Sequence, residues 1–87
     1  MTLMDTLQLA FNVAKVITNQ LEMEKISIAT ASKKTGIPRT TLLRRLENPE
    51  TSPFTVTELQ KLAELTSTTV SSIVIQAEQA LAGGEKQ

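Results

Sequence analysis

About one quarter of the chain, residues 25–45, contains six of its nine basic side chains and no acidic one. The remaining residues contain three bases and nine acids, so a chain without net charge has one strongly basic segment. An arginine guanidinium can donate two hydrogen bonds to guanine O6 and N7, and lysine and arginine side chains bind phosphates. These residue types therefore favour recognition of nucleic acid. The six bases are Lys25, Lys33, Lys34, Arg39, Arg44 and Arg45.

The chain lacks the residue types that most enzyme and metal sites require. The chain has no cysteine and no histidine, so it has no disulfide, no thiolate metal site and no histidine general base. It also has no glycine-rich phosphate loop, and its acids are scattered. We therefore expect no enzyme activity, no cofactor, no metal and no small-molecule ligand. The only aromatic residues, Phe11 and Phe54, are expected in the core, which leaves no platform for stacking single-stranded bases.

Length and hydropathy predict one domain. A length of 87 residues suits a single small core, which we place in residues 1–82, with a flexible tail over 83–87. The N-terminal residues do not show the pattern of a signal peptide, and no apolar run is long enough to span a bilayer. We expect a cytoplasmic protein of a bacterium or a phage-infected bacterium, with no membrane partner.

The basic segment reads as two helices joined by a tight turn, over residues 27–47. Ser27 is suited to cap a helix over residues 28–35, and Gly36 can adopt the left-handed conformation that ends it. Pro38 suits the first turn of a second helix, over residues 38–47. Leu42 and Leu46 are four residues apart and are expected to face inward, while the opposite side of the helix faces solvent.

Three further helices are predicted around this pair. The first covers residues 3–24 and has an apolar stripe that includes Leu7, Phe11 and Ile17. A second stripe on the same helix either packs within the monomer or contacts a second copy; it consists of Leu9, Val13 and Val16.

The two remaining helices follow a loop over residues 48–54. Thr55 and Glu58 have the spacing of a capping box at the start of a helix that continues to about Leu65. The last helix begins after the polar residues 66–69 and continues to about Leu81. The expected fold class is therefore an all-α bundle of five helices.

A helix, a turn with glycine and a second helix form the helix-turn-helix pattern, in which the second helix enters the major groove of DNA. The segment 26–46 (ISIATASKKTGIPRTTLLRRL) resembles the core of the XRE family, the Cro- and repressor-like proteins of phages and bacteria. The segment 54–65 (FTVTELQKLAEL) is similar to the fourth helix of that family, and the resemblance covers roughly residues 10–80. It implies a five-helix fold of the lambda-repressor type and a transcription regulator, such as a small Cro-like repressor, that binds double-stranded operator DNA.

Chemistry suggests a role for each polar residue around the motif. Base reading is expected from the second helix of the motif, and Leu43 either contacts a thymine methyl group or packs against a neighbouring helix. The base-reading candidates are Arg39, Thr40, Leu43 and Arg44. The candidates for phosphate contacts are Lys33, Lys34, Thr41, Arg45, Asn48, Thr51 and Thr55.

Two questions stay open at the level of sequence. A single short helix reads only a few base pairs, so we expect a homodimer, at least on DNA, formed through the second stripe or through Ile73, Val74 and Ile75. The alternative function is a protein-interaction module on the same scaffold, similar to an antitoxin or an anti-repressor. The absence of net charge and the acidic, apolar-rich ends of the chain favour this alternative.

Overall fold

The computed structural model describes the backbone of residues 3–84 and the side chains of residues 5–81. Within these residues the chain forms five α-helices and no β-strand. This confirms the predicted all-α bundle of five helices. No helix within residues 3–84 combines the length and apolar character needed to cross a membrane. The helices are α1 (Leu3–Met23), α2 (Ile28–Thr35), α3 (Arg39–Glu47), α4 (Val56–Leu65) and α5 (Val70–Gly84).

Three helix boundaries differ from the predicted ones. The helix α1 ends at Met23, and Lys25 then adopts a φ of 59°, which turns the chain towards α2. Pro38 lies just outside α3 in an extended conformation, with ψ at 141°, and its carbonyl accepts a hydrogen bond from the Leu42 amide. It is therefore the N-cap rather than the first helical residue. The helix α5 continues to Gly84, and residues 85–87 of the predicted tail lie outside the described part.

The core draws on every helix. Ile17, Leu42, Leu62 and Ile73 come from α1, α3, α4 and α5, and each has almost no exposed surface. Ala31 of α2 is also fully buried and lies in the same cluster. Burying a large aliphatic side chain contributes roughly 1.5–3 kcal/mol, so these contacts make α3 part of the core. Phe54 is half-buried against this cluster, in agreement with its predicted place.

The inward face of α1 is rotated from the predicted one. Val16 is buried, and Leu9 and Val13 pack against the core, so the second stripe lies within the monomer. The prediction that Phe11 belongs to the core was wrong, because its side chain is 39% exposed, and Leu7 on the same stripe is 41% exposed. At about 100° per residue the core-facing side of α1 is centred between the two stripes, which leaves these two residues at its edge.

Candidate nucleic-acid interface

The turn between α2 and α3 is held by backbone conformation and by one buried side chain. Gly36 has a φ of 79°, the left-handed conformation that a side chain would strain, and its amide donates to the Ser32 carbonyl. Ile37 follows and is buried, which anchors the turn to the core. The conformation of Gly36 agrees with the sequence prediction, and together the two residues set the direction in which α3 leaves the turn.

Two hydroxyl groups complete the turn. The Thr35 hydroxyl donates to the Ala31 carbonyl at 2.7 Å and accepts from the Ile37 amide at 3.2 Å. The Ser32 hydroxyl donates to the Ile37 carbonyl at 2.6 Å. Sequence reasoning did not assign these roles, although serine and threonine near helix ends often bond to nearby backbone groups. The orientation of α3 relative to α2 therefore depends on three hydrogen bonds that cross or flank the turn.

The surface of α3 divides into a buried and an exposed side. Leu42 is fully buried, and Leu46 and Arg45 are partly buried on the adjacent turn. Thr40, Arg44 and Glu47 are all exposed, and at about 100° per residue they lie within an arc of roughly 60° opposite Leu42. We call these three residues the outer face of α3.

The candidates for base reading are not equally placed. Thr40 and Arg44 belong to the outer face, and Arg39 is exposed at the first position of α3. Neither Arg39 nor Arg44 has a hydrogen bond or an ion pair within the described residues, so both guanidinium groups are available to a ligand. Leu43 is half-buried at the border of the outer face, which leaves part of its side chain accessible.

Two of the candidates for phosphate contacts are exposed lysines. Lys33 and Lys34 lie in the last turn of α2, immediately before the turn to α3. Their positive charges also interact favourably with the carbonyl end of α2, since a helix C-terminus has a partial negative charge. Thr41 is half-buried on α3 and presents less surface.

The three candidates from the loop after α3 are exposed, and the side chains of two of them, Thr51 and Thr55, are already hydrogen-bonded. The Asn48 carbonyl accepts from the amide and the hydroxyl of Thr51, at 3.2 and 3.3 Å. The Thr55 hydroxyl accepts from the Glu58 amide at 3.1 Å, and the Glu58 carboxylate accepts from the Thr55 amide at 2.9 Å. This confirms the predicted capping box. The Thr51 and Thr55 hydroxyls thus already have structural partners within the loop and the cap.

Arg45, a candidate for a phosphate contact, forms an ion pair within the chain. Its Nε and Nη2 atoms lie 3.0 and 3.4 Å from the two carboxylate oxygens of Glu58, in a two-pronged ion pair between α3 and α4. The two side chains are only 20% and 15% exposed. The pair is therefore shielded from solvent on most sides, and its geometry holds the end of α3 against the start of α4. Sequence alone did not reveal it, since the two residues are thirteen positions apart.

The Glu58 carboxylate is stabilised in its charged form. Partial burial raises the pKa of this group, but the hydrogen bond from the Thr55 amide and the guanidinium of Arg45 outweigh that effect. The pKa of Glu58 consequently lies below its ordinary value. The ion pair is complete at neutral pH.

The ion pair leaves five of the six bases of the segment for other contacts. All five are exposed, and they are Lys25, Lys33, Lys34, Arg39 and Arg44. No group of three acidic side chains that could hold a metal ion occurs among the described residues.

Comparisons with models of known protein families, with curated proteins and with solved structures found no match.

Proposed function

We propose that the chain is a sequence-specific regulator of transcription that binds double-stranded DNA, with α3 in the major groove. One observation carries this proposal. The outer face of α3 presents the guanidinium of Arg44, which has no partner among the described residues, while the opposite face is buried through Leu42. The turn before α3 is bonded to α2 through Ser32, and the end of α3 is bonded to α4 through Arg45. A rigidly held helix with a free guanidinium is the arrangement that reading a guanine requires.

The flanking residues divide the work of binding. Arg44 and Arg39 pair with guanines, and Thr40 contacts a base or a phosphate. Lys33 and Lys34 bind phosphates and set the orientation of the domain on the duplex. Ser32 and Thr35 touch no DNA in this scheme, and they keep α3 at its angle to α2 through the hydrogen bonds of the turn.

The resemblance of residues 26–46 to the XRE family supports a small repressor of the Cro type as the biological role. A helix of this length reads only a few base pairs, so we propose that two copies bind two half-sites as a homodimer on the DNA. Selection of bound duplexes from a random pool tests this directly. We expect an inverted repeat; a single asymmetric site would exclude a symmetric dimer.

Removal of the Arg44 guanidinium provides the sharpest test of DNA reading. We expect Arg44→Ala to weaken binding to the selected duplex by on the order of tenfold, because one bidentate contact to guanine is lost. Fluorescence anisotropy at constant salt measures the change. Lys61→Ala is the matched control, since Lys61 is exposed on α4 and its loss changes the net charge equally. Equal effects of the two variants would show that Arg44 contributes only charge.

The second candidate function is a protein-interaction module. Leu7 and Phe11, one helical turn apart on α1, favour it, because two large apolar side chains on one exposed edge suit a partner surface. The double variant Arg39→Ala/Arg44→Ala separates the two functions. A biological effect that survives this double change belongs to the interaction module and not to DNA reading.

A further inference from the structure

We infer that Glu47 is a specificity-determining residue, which selects a cytosine next to the guanine that Arg44 reads and disfavours other sequences. This inference rests on the proposed DNA-binding function. Glu47 is the last residue of α3 and lies on its outer face, about 20° from Thr40 around the helix axis. It is exposed and has no ion pair or hydrogen bond among the described residues.

The position of Glu47 is unfavourable by electrostatics alone. A carboxylate in the last turn of a helix lies next to the partial negative charge of the carbonyl end, which destabilises the helix slightly. On the outer face it would also approach the phosphates of bound DNA and repel them. Arg44 lies three residues before Glu47, and a base that precedes an acid on a helix attracts it less than the reverse order does. The structure shows no ion pair between the two side chains. Neither Arg44 nor any other described residue therefore neutralises the carboxylate in the free protein.

A carboxylate that faces base edges has a chemical partner in the major groove. It accepts a hydrogen bond from the exocyclic amine of cytosine, whereas guanine O6 and N7 and thymine O4 are acceptors that repel it. Arg44 and Glu47 are separated by about 4.5 Å along the helix, close to one base-pair step of about 3.4 Å. The donor of Arg44 and the acceptor of Glu47 thus suit neighbouring base pairs. A site with cytosine at the second position gains a hydrogen bond, guanine or thymine there offers the carboxylate no donor, and adenine sets the N7 acceptor beside its N6 amine.

The probe is a pool of random duplex DNA, from which the wild-type chain, Glu47→Ala, Glu47→Gln and Glu50→Ala each select bound sequences. We expect Glu47→Ala to lose the cytosine preference at one position while the neighbouring guanine is retained. Glu47→Gln should turn that preference towards adenine, because an amide pairs with adenine N6 and N7. Glu50→Ala is the matched control, since Glu50 is an exposed carboxylate in the loop beyond α3 and its loss changes the net charge equally.

Anisotropy titrations give a second readout. The ratio of affinities for the selected and an unrelated duplex should fall on the order of tenfold in Glu47→Ala and stay unchanged in Glu50→Ala. Identical selected sequences for the wild type and both Glu47 variants would overturn the role of Glu47 while leaving DNA binding intact. If the wild-type chain enriches no sequence, the proposed function itself fails, and the inference fails with it.

Discussion

At the scale of single residues, the hydroxyl groups of Ser32 and Thr35 decide how the helix-turn-helix pair is closed. Thr35 is buried, and its oxygen both donates to the Ala31 carbonyl and accepts from the Ile37 amide. Where the helix ends, the Ile37 amide has no helical carbonyl to bond to, and the buried Thr35 hydroxyl takes the place of that acceptor. The turn therefore depends on the chemistry of these side chains as well as on the glycine.

Replacement of Thr35 by valine tests this role with little change in shape. We expect Thr35→Val to lower the free energy of unfolding by about 1–3 kcal/mol, because the buried Ile37 amide loses its acceptor. Urea denaturation followed by circular dichroism measures it. Thr30→Val is the control on the same helix, as the exposed Thr30 hydroxyl bonds only to Ser27. Equal stability of the two variants would exclude a structural role for the Thr35 hydroxyl.

At the scale of helices, the Arg45–Glu58 ion pair and the capping box form one connected unit. The same carboxylate oxygen of Glu58 accepts from the Arg45 guanidinium and from the Thr55 amide. The end of α3 is thereby tied to the start of α4, and the outer face of α3 is held in a fixed direction. The turn alone fixes only the beginning of α3. The second attachment fixes its end, so that the same side chains face the groove when the helix binds DNA.

Glutamine at position 58 separates the two roles of this residue. Glu58→Gln keeps an acceptor for the Thr55 amide but loses the charge, so we expect a loss of about 1 kcal/mol at neutral pH. Thermal unfolding measures it. Glu64→Gln is the control, since Glu64 is exposed on α4 and the only partner of its carboxylate among the described residues is the neighbouring Gln60 side chain. No difference between the two variants at pH 7 would show that the ion pair is energetically neutral.

The pH dependence of stability follows from the same carboxylate. Because the pKa of Glu58 in the folded chain lies below its ordinary value of 4.5, its contribution is fully present above pH 4.5. The contribution is lost as the pH falls through the lower pKa of the folded state, where the carboxylate becomes protonated. We expect the stability difference between the wild type and Glu58→Gln to shrink on acidification. A difference that does not shrink as the pH falls below 4.5, over the range in which the chain stays folded, would contradict the assigned charge.

At the scale of the whole molecule, Asn12 links the first helix to the last. Its side-chain amide is buried and donates to the Ala77 carbonyl at 3.2 Å, which links α1 to α5 across 65 positions, while its oxygen accepts from Gln8. We expect Asn12→Ala to cost about 1–3 kcal/mol of unfolding free energy, because the Ala77 carbonyl loses its side-chain donor and a gap remains. Asn19→Ala, an exposed change on the same helix, is the control in urea denaturation. A loss no larger than that of the control would contradict this role of Asn12.

The charge balance of the whole chain sets how its affinity responds to salt. With no net charge, attraction to DNA depends on a local patch, and Arg45 is already paired with Glu58. We expect the double variant Lys33→Ala/Lys34→Ala to reduce the slope of log affinity against log salt by about 2 per subunit, as two phosphate contacts are lost. Anisotropy titrations between low and moderate salt measure the slope. Arg44→Ala should instead change sequence preference, and identical behaviour of the two variants would contradict this division.

Local sequence signals predicted most of the helices and the turn. Ser27, Gly36 and the Thr55–Glu58 capping box act through residues close in the chain, so their positions could be read directly, and the structure agrees with each. The basic segment and the buried Leu42 likewise follow from residue type and helical spacing. The sequence thus determined the all-α class, the order of the helices and the residues that α3 can present.

The tertiary structure decided which of those residues are free. Arg45 and Arg44 are adjacent and chemically identical, yet one is paired with Glu58 and the other is open to solvent. The same holds for α1, where packing within the bundle buries Val16 and leaves Phe11 at the edge. Helical periodicity specifies the angle between side chains on one helix, but not how that helix is rotated against its neighbours. That rotation follows from contacts between residues distant in sequence, which is why only the folded chain distinguishes a buried or paired residue from one that can meet a ligand.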